Sequence, residues 1–252
     1  MPKRHSMHPI IELGPLNLGS GALLLVIAIF VGHARFERVA RQRGGEALEQ
    51  RAGRCAPFAL AGAAIGARLW YGLFNWDMYS QSPGLFLALR LGDLAWPGAL
   101  IGGTLAGYAY LRLRHIDDAT APLADAAVLA LPLAQAIASL GLLLNGDALG
   151  APTDLPWAVP LFGTLRHPVA LYYLLAALAT WGVLTWVARR SPQPGTLAMT
   201  YLAVQGSALL LLEALRVDSL VTAGGVRIAQ VVGLAMILMA LWWKRTHATS
   251  TP

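Results

Sequence analysis

The stretch PLADAAVLALPLAQAIASLGLLL at residues 122–144 contains one charged residue, Asp125, and is otherwise dominated by apolar side chains. A helix that crosses about 30 Å of hydrocarbon needs roughly 20 mostly apolar residues. This stretch meets that requirement, so it predicts a transmembrane helix. Similar stretches lie on both sides of it, and the seven predicted spans are 16–34, 58–76, 95–113, 122–144, 169–188, 196–215 and 228–243.

The composition of the whole chain agrees with this prediction. Of the 252 residues, 56% are apolar and 13% are charged, whereas soluble domains average about 45–50% apolar and about 25% charged residues. This excludes an ordinary soluble protein and a disordered chain. We therefore predict an all-α, polytopic membrane protein that forms a single domain over residues 1–252. Its one cysteine, Cys55, lies in the loop after the first span and excludes an internal disulfide.

Loop charges predict the orientation of the spans. With the N-terminus outside, the inner loops hold twelve Lys and Arg residues and the outer segments hold six. The positive-inside rule then places the C-terminus in the cytoplasm. A cleaved signal peptide is the alternative for the first span, but the basic cluster follows the apolar run instead of preceding it. The net charge of +6 is thereby explained by cytoplasmic loops, so nucleic acid is not a predicted partner.

Two local patterns refine this picture. The run at 84–91 is too short to span a membrane and is interpreted as an interfacial or re-entrant piece. Glycines four residues apart allow membrane helices to approach closely, which predicts a compact bundle. The three such pairs are Gly62 with Gly66, Gly98 with Gly102, and Gly103 with Gly107.

Polar side chains gather at the outer ends of the predicted spans. Charges at membrane depth are costly and mark candidate functional sites, and arginine matches the geometry of phosphate with two parallel hydrogen bonds. The sequence therefore predicts an outer-leaflet site for an anionic group. Its candidate residues are Asp77, Asn145, Asp147, Arg166, His167, Glu213 and Arg216, with Arg68 about 12 Å deeper in span two.

Each candidate also has a structural interpretation. Arg68 could pair with a carboxylate inside the bundle, and His167, which precedes a proline, could simply begin a helix at the headgroup level. Glu213 and Arg216 are three residues apart and could form a local ion pair. Trp157, Tyr172 and Tyr173 are interpreted as interfacial belt residues. Composition alone does not separate an enzyme from a lipid-binding module or a small transporter.

Two segments resemble a known family. NGDALGAPTDLPWA at 145–158 and RHPVALY at 166–172 are similar to motifs of the prolipoprotein diacylglyceryl transferase family, Asn-Gly-Glu-x-x-Gly-x-Pro-Thr-Asp-x-Pro-Trp and Arg-His-Pro-x-x-Leu-Tyr. The resemblance runs in order from about residue 8 to residue 243, and the family's seven spans and outside N-terminus agree with the predicted topology. Supporting segments are HPIIELGP at 8–15, GARLWYGLF at 66–74 and EALR at 213–216.

The resemblance implies a reaction. The family moves the diacylglyceryl group of phosphatidylglycerol onto the lipobox cysteine thiol of a preprolipoprotein, at the bacterial plasma (inner) membrane, and releases glycerol phosphate. It implies no metal and no cofactor. The reaction needs a thiolate and donors for the departing phosphate. We expect Arg216 or Arg68 to bind the phosphate and His167 to take the thiol proton. The expected substrate-binding residues are Asn145, Gly146, Asp147, Gly150, Arg166, Glu213 and Ser139.

Several positions depart from the family pattern. The family's His-Gly-Gly motif, proposed to hold its base, begins here with Pro97. Its Gly-Arg-x-Gly-Asn run reads ASLGL at 138–142, so Ser139 replaces the essential arginine and Leu142 replaces an asparagine. A first-span tyrosine is replaced by Gly21. These departures lead us to expect a weak or altered activity.

The departures leave other functions open. A non-catalytic relative that binds anionic lipid or a lipoprotein precursor would keep the scaffold motifs and lose the polar catalytic positions. A transferase with a changed acceptor or donor would keep Arg216 and His167 beside an altered pocket at Pro97. A transporter is the least favoured class, because the chain shows no repeated halves or broken helices in matching positions.

Overall fold

The computed structural model describes residues 10–13, 16–81, 84, 95–222 and 224–248, with side chains from residue 19 onward except that of Met78. The chain is mostly helical. Its elements are β1 (Ile10–Leu13), β2 (Leu16–Gly19), α1 (Ser20–Phe74), α2 (Trp76–Gln81), α3 (Trp96–Leu113), α4 (Thr120–Asn145), β3 (Val159–Leu161), β4 (Thr164–Arg166), α5 (Val169–Ala188), α6 (Thr196–Leu212) and α7 (Ile228–Ala248). Short 3₁₀ turns at Asp117–Ala119 and Glu213–Leu215 precede α4 and follow α6.

Four helical segments within the described residues are long and apolar enough to cross a membrane, and they agree with predicted spans four to seven. They fit an integral membrane protein. Predicted spans one and two mostly overlap α1, and predicted span three mostly overlaps α3. The total of seven spans and their orientation stay predictions. The four segments are Asp117–Asn145, Val169–Ala188, Thr196–Leu215 and Ile228–His247.

The all-helical prediction missed two antiparallel hairpins, β1–β2 and β3–β4. The first predicted span began at residue 16, but residues 16–19 form β2, and α1 begins at Ser20. A short apolar run suits a strand or a helix equally well, so hydropathy alone did not separate the two. Residues 85–91 of the short interfacial run lie outside the described residues.

The basic segment between predicted spans one and two is helical on both sides of a break inside α1. Only Gly44 and Gly45 leave the helical conformation, and Gly45 has φ +68°. Ala52 and Cys55 of this segment are buried. Cys55 is a free thiol that donates to the Gly107 carbonyl at 3.8 Å, and burial raises its pKa. The thiol is therefore shielded instead of lying in a solvated loop.

The chain forms two compact units, one from Met1–Arg35 with Ala127–Pro252 and the other from Phe36–Ala126. In the second unit, α1 and α3 cross at the predicted glycine pairs. A Cβ atom added to Gly62 would lie 2.5 Å from the Gly102 carbonyl oxygen, and one added to Gly66 would lie 2.9 Å from Gly102 Cα and closer still to the Gly98 carbonyl oxygen. These glycines therefore provide the close helix approach that their spacing predicts.

The first unit contains α5, α6 and α7. Gly206 of α6 and Gly233 of α7 allow close approach, because a Cβ at Gly206 would lie 2.6 Å from the Gly233 carbonyl oxygen. Side-chain hydrogen bonds also join its helices. Gln135 Nε2 of α4 donates to the buried Tyr201 hydroxyl of α6 at 2.8 Å. These contacts hold together the helices whose ends carry the candidate site.

Candidate active site

The site is organised by an extended segment, residues 149–153, that lies between the end of α6 and the start of α5. On one side, the Ala151 N–H donates to the Leu215 carbonyl at 2.8 Å. On the other, the Ala151 carbonyl accepts from the His167 N–H at 3.0 Å. Isolated antiparallel bridges pair Gly150 with Arg216, and Pro152 with Arg166. The segment therefore brings Arg166, His167 and Arg216 to one place.

Gly150 is the close-packing point of this arrangement. A Cβ atom added there would lie 2.9 Å from both the carbonyl carbon and the Cβ of His167, closer than real Cβ atoms come. The Gly150 carbonyl also accepts from Arg166 Nη1 at 3.0 Å. Among the described residues, the buried Nε atom of Arg166 has no hydrogen-bond partner. Glycine is needed here because two backbones pass at this distance.

Gly146 ends α4 and starts the loop toward this segment. Its φ is +71°, and its N–H donates to the Leu143 carbonyl while the Asp147 N–H donates to that of Leu142. This is a Schellman motif, in which glycine tolerates the left-handed conformation that closes the helix. The Gly146 backbone is explained by this turn, and its contact with a substrate stays a prediction.

Arg216 is held by two carboxylates. Its Nε and Nη2 atoms donate to the two oxygens of Asp218 at 2.8 and 3.2 Å, and its Nη1 donates to Glu213 Oε1 at 3.3 Å. A guanidinium has five N–H donors, so two remain after these three bonds. The side chain is 20% exposed. The arrangement can therefore offer two oriented donors to an anion.

Glu213 is the buried anchor of the cluster, with 1% of its side chain exposed. Its Oε1 atom accepts from the Tyr173 hydroxyl at 2.5 Å as well as from Arg216, and its Oε2 atom accepts from the Ser219 hydroxyl. The local ion pair with Arg216 is thus confirmed. Both oxygens of this buried carboxylate therefore have hydrogen-bond donors, as buried polar groups require.

The ion pair between Arg216 and Asp218 keeps both groups charged. Burial lowers the pKa of Arg216, but the hydrogen bond to Asp218 and the surrounding negative charges outweigh burial and raise it. Burial raises the pKa of Asp218, but the hydrogen bond and the charge of Arg216 outweigh it and hold that pKa below its usual range. Arg227 Nη2 donates to the Arg216 carbonyl at 3.1 Å, which ties the start of α7 to the cluster.

His167 belongs to a second hydrogen-bonded group. Its Nδ1 lies 3.3 Å from the Tyr172 hydroxyl, which accepts from Trp157 Nε1 at 2.8 Å. If the tyrosine donates to Nδ1, the ring proton lies on Nε2. If Nδ1–H donates to the tyrosine, Nε2 is free to accept a proton. Trp157, Tyr172 and Tyr173, interpreted from the sequence as belt residues, therefore have specific partners in or beside the site.

Asn145 closes the site toward the start of α1. Its Oδ1 atom accepts from the Gly21 N–H at 3.2 Å, and its Nδ2 donates to Asp147 Oδ2 at 3.2 Å. A Cβ atom at Gly21 would lie 2.5 Å from Asn145 Cγ. The amide of Asn145 thus satisfies a backbone donor in the first turn of α1 and occupies the space beside Gly21.

The whole-chain sequence comparison decides the family. The sequence profile of the prolipoprotein diacylglyceryl transferase family matches residues 8–244. The chain belongs to this family. A protein of Clostridioides difficile named phosphatidylglycerol–prolipoprotein diacylglyceryl transferase is 36% identical over 73% of each chain. Proteins of the same name are 33% identical in Nostoc sp. (93% of this chain, 88% of the relative) and 34% identical in Thermosynechococcus vestitus (92% and 89%).

Family membership confirms the resemblance, and the replacement of family catalytic positions stays a prediction. Ser139 is 5% exposed, and its hydroxyl donates to the Gln135 carbonyl of its own helix at 2.8 Å. Leu142 packs against the buried cluster of Ala148, Val169 and Ala170. Neither side chain carries a charge, and binding of substrate by Ser139 stays a prediction.

Arg68 and Pro97 lie in the other unit of the chain. The Arg68 guanidinium carbon lies 5.4 Å from the centroid of the Tyr79 ring. Pro97 is buried in the first turn of α3, where a missing N–H is tolerated. A catalytic role for Arg68 stays a prediction.

Sequence reasoning missed Asp218, Ser219 and the specific contacts of Tyr172 and Tyr173. A signal for Asp218 was present, since it is an acidic residue two positions after Arg216. The partners of the tyrosines carried no such signal, because they depend on which helices end side by side. Within the described residues, no group of three or more His, Cys, Asp and Glu side chains is placed to hold a metal ion.

Proposed function

We propose that the chain transfers the diacylglyceryl group of phosphatidylglycerol to the thiol of a preprolipoprotein lipobox cysteine. The observation that carries the proposal is Arg216, which Glu213 and Asp218 orient while two of its N–H donors remain for an anion. His167 is attached to the same extended segment through its backbone. The names of the relatives support the choice of substrates.

In the proposed step, Arg216 binds the phosphate of phosphatidylglycerol. The thiolate sulfur attacks the diacylglyceryl carbon, a C–S bond forms, and the C–O bond to phosphate breaks. Glycerol phosphate leaves with the electron pair of that bond, so negative charge grows on the oxygen nearest the arginine. Loss of one such donor in a dry site typically costs about 2.7–4 kcal/mol of transition-state stabilisation.

His167 takes the proton of the thiol in this proposal. That role requires Nε2 to be the acceptor, and therefore requires Nδ1–H to donate to the Tyr172 oxygen at 3.3 Å. Tyr172 then accepts two hydrogen bonds, from His167 and from Trp157. Tyr172 is accordingly a positioning residue that selects the tautomer of His167.

The proposed setting is the bacterial plasma membrane, crossed seven times, with the N-terminus outside and the C-terminus in the cytoplasm. Both substrates would then meet at the outer leaflet, and the partners are phosphatidylglycerol and the signal peptide that carries the lipobox. The charge count of the loops supports this orientation. The proposal needs no metal and no cofactor.

A second candidate function is binding without transfer. The uncharged Ser139 favours it, because its hydroxyl is committed to the Gln135 carbonyl where the family pattern has an arginine. In that case Arg216 would hold an anionic lipid or a lipoprotein precursor and no bond would break. A transferase with another acceptor is the third possibility.

The deciding experiment is a transfer assay on the purified chain. Phosphatidylglycerol and a lipobox peptide are added, and the peptide mass is measured for an added diacylglyceryl group. We expect the product with the wild type, a loss of 10²–10³ in rate, to order of magnitude, for Arg216→Ala, and full activity for the exposed control Arg189→Ala. Binding of phosphatidylglycerol without any product would favour the second candidate, and an unaffected Arg216→Ala enzyme would refute the assigned role of Arg216.

A further inference from the structure

The β3–β4 hairpin carries an exposed apolar surface next to the site. In its register Pro160 pairs with Leu165, so both lie on one face, and both are exposed. Phe162 at the tip is 76% exposed and Leu165 is 49% exposed. We call Pro160, Phe162 and Leu165 the hairpin tip surface. The three apolar side chains lie within six residues of chain, and a patch of exposed apolar side chains marks an interaction or membrane site.

The backbone of the turn makes Phe162 more unusual. Phe162 has φ +53° and Gly163 has φ +78°, and the two residues form the loop between Leu161 and Thr164. Two positive φ angles are the mark of a type I′ turn, which favours Asn-Gly or Asp-Gly. A bulky residue is an outlier in this conformation. The turn itself gains nothing from phenylalanine, so the reason for its presence lies outside the hairpin.

The hairpin stands at a membrane boundary. It joins α4 and α5, both long and apolar enough to cross a membrane, and β4 ends only three residues before α5 begins. The end of one span and the start of the next lie on the same side of the bilayer. Each strand of the hairpin has three residues and so rises about 10 Å, and interfacial segments typically bury apolar groups about 5–10 Å deep. The tip can therefore reach the lipid interface from its base.

The charges around the hairpin suit a lipid surface. Residues 155–166 contain no acidic residue and one arginine, Arg166, so anionic headgroups meet no repulsion there. Trp157, which precedes β3, is 56% exposed and bonds to Tyr172 through its N–H. An indole that is partly exposed and partly hydrogen-bonded is typical of the membrane–water interface.

We propose that the hairpin tip surface inserts into the lipid interface on the side where α4 ends and α5 begins. Insertion holds β4 against the membrane, and Arg166 and His167, at the end of β4 and just after it, are then kept at a fixed depth beside the lipid headgroups. The occupant of the surface is the bilayer itself. Insertion does not depend on the proposed reaction, so it can be tested whether or not transfer is observed.

Site-directed spin labelling tests the insertion. The single native cysteine is removed by Cys55→Ala, and labels are attached at Phe162→Cys and Leu165→Cys in vesicles of phosphatidylcholine and phosphatidylglycerol. The control is Asp154→Cys, which lies on the exposed loop before the hairpin. We expect the ratio of oxygen to nickel-chelate collisions to be several-fold higher at 162 and 165 than at 154. Equal ratios at the three positions would refute insertion.

A second pair of variants separates insertion from folding of the turn. Phe162→Asn creates the favoured Asn-Gly turn, so the hairpin is retained, but the apolar tip is lost. A label at 165 should then become several-fold more accessible to the nickel chelate, whereas Phe162→Trp should leave it protected. Unchanged protection with asparagine contradicts the proposal. Protection that arises only after a lipobox peptide is added also contradicts it, and would assign the surface to the precursor.

Discussion

Asp218 and Glu213 both accept hydrogen bonds from the guanidinium of Arg216. Asp218 takes one edge with two bonds and Glu213 takes a single donor, so the side chain is oriented while part of it stays available. Two carboxylates beside one arginine also weaken its attraction for an anion. Arg216 therefore binds an anion less strongly than a lone arginine would, but its guanidinium has a defined orientation. Catalysis needs such an orientation when negative charge develops at one oxygen.

Asp218→Asn tests the value of this orientation. The amide keeps the shape of the side chain but accepts through one oxygen only, so one of the two hydrogen bonds from Arg216 is lost. We expect kcat of the transfer reaction to fall by roughly 10–10², the scale of a small misplacement of a reacting group. Because a negative charge is removed, KM for phosphatidylglycerol should not rise. A fall confined to KM would show that Asp218 does not orient the arginine.

The same ion pair predicts an acid dependence of stability. The pKa of Asp218 is lower in the folded protein than its usual value, so the folded state binds its proton less readily than the unfolded state. The contribution of the pair is therefore complete above about pH 3.9, the usual value for aspartate, and is lost as pH falls through the folded pKa. Thermal unfolding in detergent should be less acid-sensitive in Asp218→Asn than in the wild type, and equal sensitivity would contradict this.

Tyr172→Phe tests the second hydrogen-bonded group. It removes the partner of His167 Nδ1 and leaves the packing of the ring. If His167 is the base, we expect kcat to fall by about tenfold, less than the 10²–10⁴ typical for loss of the base itself, and the pH profile of kcat to shift. Tyr110→Phe, a substitution in the other unit, is the matched control and should change neither quantity.

At the scale of elements, the extended segment 149–153 determines the site. It pairs with the chain after α6 on one side and with the chain before α5 on the other. The end of α4, the start of α5 and the end of α6 thus lie around one short stretch of backbone. Its tolerance for substitution should be lowest where the two neighbouring backbones come closest, at Gly150.

Gly150→Ala tests the close approach of the Gly150 and His167 backbones. The added methyl would meet the His167 backbone, so the segments must move apart. We expect a loss of about 1–3 kcal/mol in the free energy of unfolding, as for other overpacked sites, together with reduced transfer activity. Gly182→Ala in α5 is the control, because a Cβ there meets nothing within 4 Å and alanine is a better helix former than glycine. Equal melting temperatures for the two variants would refute the close approach.

At the scale of the whole molecule, the loop charges predict which side of the membrane each connection faces. The connection between α5 and α6 contains Arg189 and Arg190 and is expected in the cytoplasm, whereas the connection between α6 and α7 follows Arg216 and is expected outside. In a Cys55→Ala background, Ser191→Cys and Thr222→Cys lie on these two connections, and both positions are exposed.

Labelling of these two cysteines tests the topology. A membrane-impermeant maleimide added to intact cells should modify Thr222→Cys and leave Ser191→Cys unmodified until the cells are opened. The wild type should remain unlabelled from outside, because Cys55 is buried. The reverse pattern would show that the chain is inserted with the opposite orientation, and would place the candidate site in the cytoplasm.

The amino-acid sequence by itself determined the class of protein, the helices at predicted spans four to seven, and the family. Those follow from hydropathy and from motifs, which are properties of neighbouring residues along the chain. The tertiary structure alone decided that Asn145 bonds to Gly21, that Tyr173 bonds to Glu213, and that a β hairpin stands before α5. The first two contacts join residues far apart in sequence, and they exist only because particular helix ends and backbones meet at close range. The hairpin is local, but its short apolar strands have no hydropathy pattern that separates them from a helix.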